Sequence, residues 1–154
     1  MNNERIEHLL RTHPRAAETS ATTREHAATL AALLECLLAC NACADACLAE
    51  EHVSRLRRCI RTDLDCADVC AATVRVISRQ TETPGELLHQ QLHACIIACQ
   101  TCADECELHR DMHEHCRLCA KACRHCQELC NRLLGELSAA GTVPANPLES
   151  PSLS

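Results

Sequence analysis

Apolar and thiol side chains recur at three- and four-residue steps through most of the chain, with polar residues between them. Cys36, Cys40, Cys43 and Cys47 step by four, three and four, and Cys95, Cys99, Cys102 and Cys106 repeat those steps. Cys59, Cys66 and Cys70 step by seven and four; Cys116, Cys119, Cys123, Cys126 and Cys130 alternate three and four. Each set falls on one stripe of an α-helix, the stripe that an ordinary bundle fills with Leu and Ile.

Boundary signals divide this pattern into four long helices, over about 22–50, 53–79, 84–109 and 112–140. Thr22 to Glu25 fits a capping box. A short polar turn follows the first helix, and the polar stretch 80–83 ends the second. Thr83-Pro84-Gly85-Glu86 supplies an N-cap, a proline at the first helical position and a capping Glu. Asp111-Met112-His113-Glu114 repeats the cap logic, with Asp111 three residues before Glu114 and no proline. Residues 2–12 form a short extra helix before the break at Pro14. Residues 1–140 therefore read as one domain, and the Pro/Ser-rich segment 141–154 as a flexible tail.

The halves repeat one another. The first four cysteines map onto Cys95–Cys106 at an offset of 59, and Cys59, Cys66 and Cys70 map onto Cys119, Cys126 and Cys130 at an offset of 60. Two helical hairpins that each leave a core unfinished pair with one another. The expected fold is all-α, an antiparallel up-down-up-down four-helix bundle with cysteines lining its core. In that topology the thiols collect at one level, in a tube roughly 16 Å long at 1.5 Å per residue. Leu30, Leu33, Leu37, Val74, Ile77, Leu88, Leu92, Leu133 and Leu137 plug the far end.

Composition sharpens the picture. The chain has no Phe, Tyr or Trp and a formal net charge of −6, so it offers neither a basic patch nor a stacking platform for nucleic acid. The longest apolar runs, Leu30 to Leu34 and Ala94 to Cys99, are too short to span a membrane. The first residues carry no apolar signal segment and no twin arginine, which predicts a cytoplasmic protein with reduced thiols. No membrane or nucleic-acid partner is expected, and no enzymatic activity.

Sixteen cysteines on matched stripes need a chemical reason, since packing alone does not favour thiols over Ala or Val. Cβ atoms at i,i+3 and i,i+4 lie roughly 5–6 Å apart, too far for the about 3.8 Å of a disulfide. Structural zinc wants four converging ligands. Thiol pairs along straight helices suit a soft ion of low coordination number, and Cu(I) is the ion thiolates select. One Cu(I) per thiolate also keeps a filled tube near neutral, whereas stacked four-thiolate zinc sites repel one another. A metallothionein-like sink for Zn(II) or Cd(II) and a thiol redox protein remain the alternatives.

These stripes, with the His109, His113 and His115 group between the third and fourth helices, resemble the cytosolic branch of the cysteine-rich four-helix-bundle copper storage proteins of bacteria. The resemblance covers about residues 22–137. It implies storage of multiple Cu(I) ions per chain on inward cysteines, with copper ions and further copies of the chain as partners, in a homotetramer. His109, His113 and His115, with His52 and Met112 on neighbouring turns, read as a mouth that admits copper, because imidazole and thioether both bind Cu(I). Asp63 stands where the second half has Cys123, and Leu56 where it has Cys116. Asp63 either lends an oxygen ligand or hydrogen bond to the tube, or is a solvated helix residue. His8, His13, His89, His93 and His125 have no place on the stripes, and His26 reads as a satisfied polar residue of the plugged end.

Overall fold

The computed structural model describes residues 2–16 and 20–141, and all its regular elements there are helical. They are α1 (Asn3–Arg11), α2 (Ser20–Leu48), a 3-10 turn (Val53–Leu56), α3 (Arg57–Ile77), α4 (Gly85–Glu107) and α5 (Glu114–Ala139). α2 packs on α3, α3 on α4 and α4 on α5, and α5 returns to α2. Diagonal helices do not meet at backbone level. This is the square section of an up-down-up-down four-helix bundle, with α1 laid against α2 outside it.

Helix ends differ from the expected ones for local reasons. α2 starts at Ser20, before the capping box. The second long helix opens as a 3-10 turn that tightens on the bond from Arg55 N–H to the His52 carbonyl (3.0 Å). Pro84 is the extended residue flanking α4 and not its first helical one; the Thr83 hydroxyl donates to the Arg79 carbonyl (3.1 Å) instead of capping the helix. α5 starts at Glu114, and its flanking residue His113 makes no capping bond because its Nδ1 is engaged by Glu50 (3.1 Å). Gly141 ends α5 at φ +67°, a left-handed conformation that glycine adopts without steric cost. Residues 142–154, expected as a tail, lie outside the described residues.

The apolar plug forms as expected. Leu30, Leu33, Ile77, Leu88, Leu92 and Leu133 are buried, with Leu37, Val74 and Leu137 half-buried against them. α1 adds Ile6 and Leu10 to this end, and Gln80 Nε2 holds it by donating to the Leu10 carbonyl (3.0 Å). Beside the plug, buried Thr73 is satisfied twice: it donates to the Val69 carbonyl (2.7 Å) and accepts from Gln91 Nε2 (2.9 Å).

One expectation fails. Although each uninterrupted apolar run is short, Thr22–Leu48 as a whole is long and apolar enough to cross a membrane, because few charges separate its runs. Half of its most apolar window is buried inside the bundle, and a bundle-core helix meets the same criterion.

Candidate metal centre

Helical spacing places all sixteen cysteines inside. Every one is buried and free. The bore is narrow enough that thiols meet across the diagonals as well as between neighbours. Cys36 Sγ lies 3.9 Å from Cys99 Sγ, Cys40 Sγ lies 3.8 Å from Cys102 Sγ, and Cys59 Sγ lies 3.9 Å from Cys116 Sγ.

The thiols form overlapping groups of four whose sulfurs all lie within 4.8 Å of one another. Cys70, Cys95, Cys99 and Cys126 make the group nearest the plug, and Cys130 joins it at 3.9 Å from Cys95. The next group, Cys36, Cys66, Cys70 and Cys99, shares two of those thiols. Cys36, Cys40, Cys66 and Cys123 follow, then Cys40, Cys102, Cys119 and Cys123. Cys43, Cys47, Cys59 and Cys116 close the series at the mouth. Cys106 bridges to this last group, 3.6 Å from Cys59. Each of the first three groups shares two sulfurs with the next.

Mutual hydrogen bonding shifts the thiols in both directions. Its hydrogen bond with Cys123 holds Cys36 down, and the bond with Cys126 holds Cys95 down. Cys99 is pushed up by its bond to Cys126 and Cys123 by its bond to Cys102, with burial adding in both. A cation that replaces the thiol protons meets a ready set of soft donors.

Asp63 is not solvated. It is fully buried, and its Oδ1 accepts from Cys102 (3.0 Å), Cys106 (3.3 Å) and Cys119 (3.3 Å). Its Oδ2 lies 3.9 Å from Cys59 Sγ. Burial first, and then the electrostatic influence of the neighbouring Cys119 and Cys102, pushes its carboxyl up to about 11. The structure therefore puts a carboxyl group inside the thiol tube at the position the repeat predicts. Leu56, the other departure from the repeat, is buried in the 3-10 turn and covers the α3 side of the same end.

At the mouth His113 and His115 come together, ring centroids 5.2 Å apart and nearly parallel at 24°. His115 Nδ1 lies 3.4 Å from Cys43 Sγ, 3.5 Å from Cys116 Sγ and 4.0 Å from Cys47 Sγ. His109 is tied to this turn through its backbone, and its ring bonds Glu105 Oε1 (3.2 Å), whose other oxygen accepts from Arg58 (3.0 Å). Met112 and His52 are exposed. Two acidic residues that hold these rings, Glu50 and Glu105, carry no periodic signal; only the i,i+4 spacing of Glu105 and His109 hints at one of them. His26 is satisfied by the Thr22 carbonyl (2.9 Å) at the plugged end.

The chain is similar to known proteins in sequence and in fold. Residues 22–135 match the sequence profile of the family described as copper storage protein. The chain belongs to that family. A solved copper storage protein from Streptomyces lividans, loaded with 10 copper equivalents, superposes with a TM-score of 0.80 at 48% identity, over 84% of this chain and 98% of that one. A structure of copper loading to a cytosolic copper storage protein from Streptomyces lividans, with five coppers, gives 0.71 at 50% identity, over 72% and 92%. A cysteine-rich protein of Bacillus subtilis is 39% identical over 87 residues, 56% of this chain and 75% of its own length. The cysteine stripes of this copper storage protein fall within the matched segment.

Proposed function

We propose that this chain is a cytosolic Cu(I) store that holds many ions on the sixteen cysteines, with Asp63 as an oxygen neighbour and His109, His113 and His115 at the point of uptake. The observation that carries the reading is the series of buried, free four-thiol groups, four of which share corners, with Cys106 standing between Cys102 (4.0 Å) and Cys59 (3.6 Å) of the last. Copper reaches the imidazoles first, passes to Cys43, Cys47 and Cys116, and moves inward as each bound ion displaces thiol protons. The apolar plug closes the other end. Storage needs no turnover, so the protein acts as a reservoir and not as an enzyme, without a membrane or nucleic-acid partner. The bundle up to residue 140 acts as one unit.

The protein works as a homotetramer. Leu38, Leu48 and Leu64 are exposed along a shallow groove between α2 and α3, which a second copy would cover.

Anaerobic titration of the reduced apo protein with Cu(I) against a strong Cu(I) chelator tests the central claim. A plateau near or above the thiol count with unchanged helicity is expected. A plateau at a few ions, or loss of copper to the chelator while zinc stays bound, overturns it.

A further inference from the structure

Glu50 lies just beyond the end of α2 and is no part of the cysteine stripe, yet both mouth imidazoles close on one of its oxygens. Glu50 Oε1 is 2.9 Å from His115 Nε2 and 3.1 Å from His113 Nδ1. A carboxylate only accepts, so both of those ring nitrogens carry the proton. In a neutral imidazole the other nitrogen is then a bare lone pair. For His115 the bare nitrogen is Nδ1, the atom that stands beside the sulfurs of Cys43, Cys116 and Cys47 at 3.4, 3.5 and 4.0 Å. For His113 it is Nε2. One carboxylate oxygen thus fixes opposite tautomers on two stacked rings, and gives each ring one nitrogen able to hold Cu(I).

We infer that Glu50 is the positioning residue of the uptake site: it orients His113 and His115 so that His115 Nδ1 delivers Cu(I) to Cys43, Cys47 and Cys116. The arrangement is that of a metal-ligating histidine whose second nitrogen is held by a carboxylate, a partner whose loss weakens such sites about 10–100-fold. The inference rests on the storage reading above and concerns the rate of filling, not the capacity.

The test uses the full-length chain as wild type, Glu50→Ala, Glu50→Gln and Glu51→Ala. Glu51 is exposed and adjacent, and its removal costs the same charge. Nitrogen-15 NMR of the apo protein reads the tautomers, and anaerobic stopped-flow mixing with a Cu(I)–chelator complex reads uptake. In wild type His115 is expected to be protonated at Nε2 and bare at Nδ1. Glu50→Ala scrambles that tautomer and slows the first uptake phase about tenfold. Glu50→Gln, which keeps an accepting oxygen, restores most of the rate, and Glu51→Ala keeps all of it. The final number of ions per chain is the same in all four. Equal slowing in Glu51→Ala, an unchanged His115 tautomer in Glu50→Ala, or an unchanged rate there each overturns the role of Glu50. A low final count in every protein, wild type included, strikes instead at storage.

Discussion

Asp63 Oδ1 sits 3.0 Å from Cys102 Sγ in a site without solvent, the one carboxyl group among the buried thiols of the described bundle. Buried this way it keeps its proton well above the usual carboxylate range, at about 11. The folded protein therefore binds a proton there that the unfolded chain releases near its ordinary value of 3.8. Stability from this group falls as pH rises from about 4 towards 11, since the unfolded state binds fewer protons over that window.

Asp63→Asn removes the ionisable group and keeps hydrogen-bonding capacity. The unfolding free energy of the apo variant, read from thermal melts, should gain on wild type between pH 5.5 and pH 8.5, by up to roughly 4 kcal/mol over those three units. Copper per chain should change by at most about one ion, because Asp63 is one donor among many. A variant less stable than wild type at high pH contradicts the buried, protonated carboxyl.

Copper and protons compete for the same sulfurs. Thiols such as Cys99 and Cys123 are pushed up and stay protonated without metal, so each Cu(I) should expel about one proton. Titration in a weakly buffered cell reads this directly. Lowering the pH by one unit should weaken the mean affinity about tenfold per ion on that stoichiometry. Uptake without proton release is incompatible with thiolate binding.

Plug and tube should separate under mutation. Leu33→Ala and Leu92→Ala leave cavities among fully buried residues and should each cost about 2–5 kcal/mol in urea unfolding of the apo protein, with the ion count unchanged. Cys36 belongs to at least two of the four-thiol groups. Cys36→Ala removes only a small apolar group, costing about 1 kcal/mol, but it should lower the chelator-resistant copper. If Cys36→Ala holds as much copper as wild type, the shared-corner arrangement has no role in binding.

Much of this was legible in the chain because one period serves both packing and chemistry. The step of three and four that puts Cys36, Cys40, Cys43 and Cys47 inward also defines α2, so finding the helix finds the ligands. The offset of about 60 residues paired the hairpins and marked Asp63 as a departure from a thiol position, though it left open whether that departure faced in or out. Packing against Cys102, Cys106 and Cys119 decided it. Features made by tertiary contact left little trace. Glu50 is one of two consecutive glutamates in a turn, and only the fold brings it to His115, 65 positions away. The 3-10 turn at Val53–Leu56 and the placement of Pro84 outside α4 are helix-end details that propensity resolves poorly.

The outer surface yields the last prediction. Leu38, Leu48 and Leu64 are 70%, 59% and 43% exposed on one side of the bundle, where α2 meets α3. Apolar side chains grouped this way are unfavourably exposed to water, and burial under another copy lowers their free energy. Light scattering of the wild-type apo protein should give about four times the chain mass for a tetramer built on this face. In Leu38→Glu/Leu64→Glu a copy cannot dock without burying unpaired carboxylates, so the mass should fall towards that of one chain or one dimer. Both positions face away from the thiols, so circular dichroism and copper per chain should stay at the wild-type level. A wild-type mass of a single chain, or a double variant that keeps the full assembly, excludes this face as the interface.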